Sequence, residues 1–145
     1  MTQPLLGNIY LATKEDIEEI DQRLGEFNQR MLNFVGESEK RISYVIKKGN
    51  SIIAGISSCV DWGFILHVEL LFVEDEYRHQ GLGRLLMEKV EKEAEVLGAG
   101  MAQTDTFDFQ AKDFYLKLGY EIFGELENSP RPGNKRFYLK KMLGQ

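Results

Sequence analysis

Arg78-His79-Gln80-Gly81-Leu82-Gly83 stands between an apolar run, residues 68–73, and a segment in which Leu82, Leu85, Leu86, Val90, Ala94 and Leu97 recur at helical spacing. The apolar run reads as a buried strand and the three-to-four spacing as an amphipathic helix, so the glycine-bearing stretch is a strand-to-helix turn. The first N–H groups of a helix lack intrahelical acceptors, and the helix dipole adds partial positive charge there. A glycine-containing turn that opens onto such a terminus can hold a phosphate. The spacing excludes two phosphate loops. A dinucleotide fingerprint requires a third glycine where Leu86 stands, and a P-loop requires Lys-Ser or Lys-Thr where Arg84-Leu85 follow Gly83. The plain alternative is a glycine turn that only starts a helix.

Downstream, Gly98 and Gly100 close the long helix and residues 101–106 read as a strand. Residues 111–118 read as a short helix, with Gly119 as the left-handed residue that stops it and 120–126 as the next strand. Residues 128–134 hold two prolines and a glycine and must form a loop before a last strand at 136–142. Upstream, 42–47 and 51–60 are β-rich runs around the Lys48-Gly49-Asn50 turn, and Asp61-Trp62-Gly63 leads into a strand at 64–73. Residues 7–12 read as a first strand. Thr13 and Asp16 then form a capping box for a helix bearing Ile17, Ile20, Leu24, Phe27 and Met31, interrupted at Gly25 and stopped by Gly36.

Two of these segments resemble the signatures of the GNAT N-acetyltransferase superfamily. Arg78, Gly81 and Gly83 match its R-x-x-G-x-G coenzyme loop, and Ala111-Lys112-Asp113-Phe114-Tyr115-Leu116-Lys117-Leu118-Gly119-Tyr120 is similar to its tyrosine-bearing short helix ending in Gly-Tyr. The resemblance covers residues 64–126. It implies a mixed α/β GNAT fold: a central, mostly antiparallel sheet of about seven strands with a splayed parallel pair, 68–73 and 101–106, flanked by three or four helices. One GNAT domain would span 1–145.

The resemblance also implies the chemistry. Acetyl-CoA is the cosubstrate, its diphosphate held by Arg78, His79, Gln80, Gly81, Leu82, Gly83 and Arg84. Its pantetheine arm lies along Leu71, Phe72 and Val73, and an amide near Leu71 or Phe72 polarises the thioester carbonyl. Tyr115 is the expected acid for the departing thiolate. Glu69 is the expected base, with His67 as its competitor; simple alternation puts Glu69 on one face with His67, Leu71 and Val73. Packing beside Phe114 is the alternative role for Tyr115, and an ordinary polar strand position the alternative for Glu69 and His67. Asp108 stands where many members carry a coenzyme-binding asparagine, so Thr106, Gln110 and Lys112 are expected to supply contacts there.

Composition bounds the rest. The 145 residues are 43% hydrophobic and 28% charged, ordinary for a globular domain, and the net charge of −5 argues against a nucleic-acid binder. One cysteine, Cys59, excludes an intramolecular disulfide and a cysteine-rich zinc site, and is expected in the core. No metal is required by the chemistry and no metal-ligand spacing is visible. The chain carries no signal-peptide pattern and no span of membrane length, so cytoplasm is the expected location. The expected reaction is direct transfer from acetyl-CoA to the primary amine of a small molecule in a ternary complex, with no nucleic-acid or membrane partner and a homodimer allowed. A protein or peptide N-acetyltransferase, or a non-catalytic acyl-CoA sensor, are the alternatives.

Overall fold

The computed structural model describes residues 7–144, in two compact units, Met1–Gly36 and Glu37–Gln145. The first unit contains helix α1, Lys14–Leu32. Its start is the expected capping box: Thr13 Oγ1 accepts from the Asp16 amide at 3.1 Å, and Asp16 Oδ2 accepts from the Thr13 amide at 2.9 Å. Helix α1 runs through Gly25 without a break. It ends at Asn33, left-handed at φ 49°, three residues before the expected stop. Asparagine tolerates this conformation because its short polar side chain bonds locally. Residues 7–12 are not a strand, since no ladder forms on them.

The second unit is built on strands β1 (Glu39–Arg41), β2 (Tyr44–Lys48), β3 (Ser51–Asp61), β4 (Ile65–Val73), β5 (Met101–Phe107), β6 (Glu121–Glu127) and β7 (Lys135–Met142). Helix α2 (Leu82–Val96) links β4 to β5, and helix α3 (Lys112–Lys117) links β5 to β6. The sheet order is β1-β3-β4-β5-β7-β6, with β2 beside β1 along the same edge of β3. All pairs are antiparallel except β4 with β5. The count of seven was expected, but the membership differs: β1 replaces the strand expected at residues 7–12. Three charged residues carry no apolar alternation, so only the partner strand reveals β1. Between β1 and β2 the chain steps away from the ladder, where Ser43 Oγ accepts from the Ser58 amide at 3.1 Å.

One face of the sheet carries the core. Ala54, Ile56, Ser58 and Val60 of β3 stand opposite Val73, Leu71, Val68 and Leu66 of β4. Leu86, Met87, Val90 and Ala94 of α2 join the same buried cluster. Each large apolar side chain fully buried in this way contributes about 1.5–3 kcal/mol. Leu85 and Leu97, which also fit the helical spacing, stay exposed, because the buried stripe is narrower than the apolar one. Buried Glu91 ties three elements together: the Tyr120 hydroxyl donates to its Oε2 at 2.8 Å and Lys141 Nζ to its Oε1 at 2.7 Å. Gly119 has φ 95°, the left-handed stop expected after α3. Among the described residues no helix is long and apolar enough to cross a membrane.

Candidate functional site

The parallel pair is short. Strands β4 and β5 are in register at Ile65 with Met101, Leu66 with Ala102 and His67 with Gln103, and pair no further, although β4 continues to Val73 and β5 to Phe107. Two local features open this fork. The β3–β4 register shifts between Ser57 and Ser58, so Ser57 faces Leu70, Ser58 faces Val68, and Glu69 is an extra, bulged residue. A bulge bends and twists its strand, which carries the end of β4 away from β5. At the apex, Thr104 Oγ1 donates to the Val68 carbonyl at 3.1 Å, substituting a side chain for the next ladder bond.

The bulge also corrects the expected facing of β4. Leu71 and Val73 share the core face with Leu66 and Val68, while Glu69 lies on the opposite face with His67. Strict alternation fails here because one residue has no partner. Beyond the bulge, the Glu74 amide bonds the Ile53 carbonyl of β3 at 2.8 Å. Alternation along β4 therefore turns the Phe72 backbone toward β3 and the Leu71 and Val73 backbone toward the open side of the fork.

The loop at the end of β4 is held by its own side chains. Arg78 Nε donates to the Val73 carbonyl at 3.0 Å and its Nη1 pairs with Asp75 Oδ1 at 3.0 Å. Gln80 Nε2 donates to the Glu76 carbonyl at 3.5 Å, Arg84 pairs with Glu88 at 3.0 Å, and His79 is exposed. Gly81 is the N-cap of α2, at φ 82°, with no side-chain cap, so the first-turn amides of Leu82, Gly83 and Arg84 have no intrahelical acceptor. The two glycines serve different ends. A Cβ on Gly81 would meet nothing within 4 Å, whereas one on Gly83 would lie 3.2 Å from Phe114 Cζ and 3.8 Å from Val73 Cγ2. Gly83 seats α2 against α3 and β4. Gly83→Ala is accordingly expected to change stability by less than about 1 kcal/mol in chemical denaturation, because alanine's helix propensity offsets the few tenths of an ångström that the Phe114 ring must give.

Tyr115 is 4% exposed, at the fork, with its ring edge-on to Phe114 and Tyr120 at centroid distances of 5.1 and 5.6 Å. Among the influences on its phenol is Thr104, the residue whose hydroxyl donates to Val68 at the fork apex. Burial pushes the phenol above its usual pKa, with Thr104 opposing and Asp105 adding to the rise. Tyr115 is therefore a protonated hydroxyl at neutral pH. Its ring belongs to the buried core.

On the opposite face, Arg41 Nη2 donates to Glu69 Oε1 and, at 2.9 Å, to Ser57 Oγ. The carboxyl of Glu69 is held below its usual range, chiefly by the Arg41 hydrogen bond. Thr106, Gln110 and Lys112 have partners within the fold. The Ala111 amide donates to Thr106 Oγ1 at 3.2 Å, the Phe107 amide to Gln110 Oε1 at 2.7 Å, and Lys112 Nζ lies 4.9 Å from the Phe137 ring centroid. Asp108 Oδ1 accepts from Asn134 Nδ2 at 3.2 Å, which ties the β6–β7 loop to the end of β5.

Cys59 is buried as expected of a small core residue, 2% exposed, although it stands on the face of β3 away from the main cluster. Its donor atom and those of Asp61 and His67 lie within 4.8 Å of one another, a grouping hidden in the sequence because two strands contribute to it. Burial and the adjacent carboxylates of Asp61 and Glu39 push the thiol up to about 12, and Sγ already donates to Asp61 Oδ1 at 3.5 Å. A protonated thiol beside the Arg41 guanidinium makes this a hydrogen-bonded cluster. Sequence reasoning missed Arg41, Ser57 and Thr104, which lie in neither motif.

A family model described as acetyltransferase (GNAT) domain matches residues 39–122. The chain is 34% identical over 102 residues to blasticidin-S acetyltransferase of Streptomyces morookaense, covering 70% of this chain and 74% of that one. An acetyltransferase crystal structure from Bacillus cereus ATCC 14579 is similar at a TM-score of 0.82 and 28% identity, over 94% of this chain and 98% of the other. An aminoglycoside 6'-N-acetyltransferase solved with coenzyme A shares the fold at a TM-score of 0.64 and 17% identity, over 92% of this chain and 82% of that one.

Proposed function

The chain belongs to the GNAT acetyltransferase family, and from that premise we propose that it transfers the acetyl group of acetyl-CoA to a primary amine of a small molecule by direct attack. The observation that carries this reading is the fork between β4 and β5. Its open backbone leads into the uncapped start of α2, and a buried tyrosine lies on the short helix that follows β5. The pantetheine arm enters the fork beside Leu71 and Val73, and the diphosphate meets the amides of residues 79–84. The Leu71 amide polarises the thioester carbonyl, a contact worth a few kcal/mol to an oxyanion transition state.

The amine nitrogen then attacks the carbonyl carbon, the C–S bond breaks, and Tyr115 gives its proton to the departing sulfur. Glu69, held below the usual carboxylate range chiefly by Arg41, is ionised at neutral pH and attracts the acceptor ammonium, whose proton leaves to Glu69 directly or through water. His67, on the same face, is the competing base. Leu71 replaces Phe72 as the preferred amide, since the Phe72 backbone belongs to the β3 ladder. The 1–145 span is proposed to act as one catalytic domain in the cytoplasm, as monomer or homodimer.

A small-molecule acceptor is favoured by the relative named for blasticidin S. The test is a panel of blasticidin S, L-ornithine, polyamines, aminoglycosides and short peptides, read by CoA release with matched acetylated product. Turnover of a small amine supports the proposal. Turnover of peptides alone, or tight acetyl-CoA binding with no product from any acceptor, overturns it.

A further inference from the structure

We propose that Arg41 is a positioning residue for acetyl transfer, aiming the Glu69 carboxylate while touching neither substrate. This rests on the assignment of Glu69 to the acceptor side. Strand β1 is only three residues long, yet it places Arg41 opposite Cys59 of β3, and Cys59 stands opposite His67 of β4. Cross-strand partners share a face, so Arg41 reaches along that face toward the bulge.

Glu69 has no ladder partner, so its side-chain direction depends on what it bonds. Arg41 Nη2 and Ser57 Oγ both donate to Oε1, the latter at 3.2 Å, whereas among the described residues no side chain donates to Oε2. Oε2 is thus left for an ammonium or its water. The other end of the guanidinium is anchored, with Nη1 donating to Glu39 Oε1 at 2.7 Å. Arg41 thereby bridges Glu39 and Glu69, and Ser57 completes a three-strand clamp on the bulged residue.

The charged groups on this face are Glu39 and Arg41 of β1, Asp61 of β3, Glu69 of β4, Asp105 of β5, and Arg136 and Lys140 of β7, with the neutral Cys59 thiol and the His67 ring among them. The Arg41 hydrogen bond is the largest influence holding the Glu69 carboxyl down, aided by Ser57 and by His67, whereas burial opposes it. Without Arg41, burial and the charges of Glu39 and Asp61 would push the carboxyl upward. The sign is distinctive: losing Arg41 should move the acidic limb of the rate profile to higher pH, whereas a merely structural loss lowers activity without moving the limb.

The decisive experiment titrates the Glu69 side-chain carboxyl by carbon NMR in the full chain, comparing the parent with Arg41→Gln and Arg41→Lys and assigning the signal with Glu69→Gln. The expected midpoint lies below the ordinary glutamate value of about 4.3 in the parent, rises in Arg41→Gln and is partly restored in Arg41→Lys. An unchanged midpoint in folded Arg41→Gln overturns the proposal. With any amine of the panel that is turned over, Arg41→Gln should lower kcat/KM for the acceptor about tenfold and raise its acidic limb, leaving KM for acetyl-CoA within about twofold. A fixed limb, or a loss confined to acetyl-CoA, overturns the positioning role. If no amine reacts, the acetyl-transfer reading fails, while the carboxyl titration still decides whether Arg41 controls Glu69.

Discussion

Tyr115→Phe is expected to lower kcat about 10²–10⁴-fold, the range of general acid assistance, with acetyl-CoA affinity nearly unchanged. The substitution removes one oxygen and keeps the ring in its edge-on contacts with Phe114 and Tyr120, so the buried packing persists. Thr104 keeps its bond to the Val68 carbonyl, which limits the effect on stability. Because burial holds the phenol above its usual pKa, the parent should show no alkaline loss from Tyr115 across the neutral range. Steady-state kinetics with calorimetric measurement of CoA binding separate these effects. Equal turnover in the variant would leave Tyr115 as a packing residue only.

Gly81→Glu is expected to weaken CoA binding about 100-fold. Two effects contribute. Any side chain at φ 82° is strained, and a carboxylate in the open space before α2 would meet the diphosphate at short range, where like charges cost several kcal/mol at intermediate effective dielectric. Gly81→Asn is the matched comparison, since asparagine tolerates the left-handed region and adds no charge. It should retain most of the affinity. Calorimetry on both folded variants decides the matter: equal affinities would remove the diphosphate from this loop. Gly83→Glu is a poor test of the same idea, because its side chain would strike Phe114 and disturb the seat of α2 first.

The legibility of the fold differs between elements for local reasons. Helix α1 announced its start because capping is a contact between residues three apart, and α2 and β3 announced themselves through apolar periodicity. Strand β1 did not, because a ladder to residues about twenty positions away defines it and its own side chains are charged. Residues 7–12 read as a strand by composition and formed none for the converse reason. The facing of Glu69 depended on the bulge, which is a mismatch between two strands and has no signal in either one alone.

The sequence by itself determined the family-like order of strand, glycine turn, long helix and tyrosine-bearing short helix, since turn chemistry, caps and periodicity are near-neighbour effects. It also singled out Tyr115, Glu69, His67 and the 78–84 loop as candidates. Tertiary structure alone decided where β4 leaves β5, which backbone faces the fork, that Gly83 packs on Phe114, and that Arg41 grips a carboxylate 28 residues away. These are properties of strand register and of side chains meeting across the sheet, and register is set by the whole hydrophobic pattern and its bulges, not by any one segment.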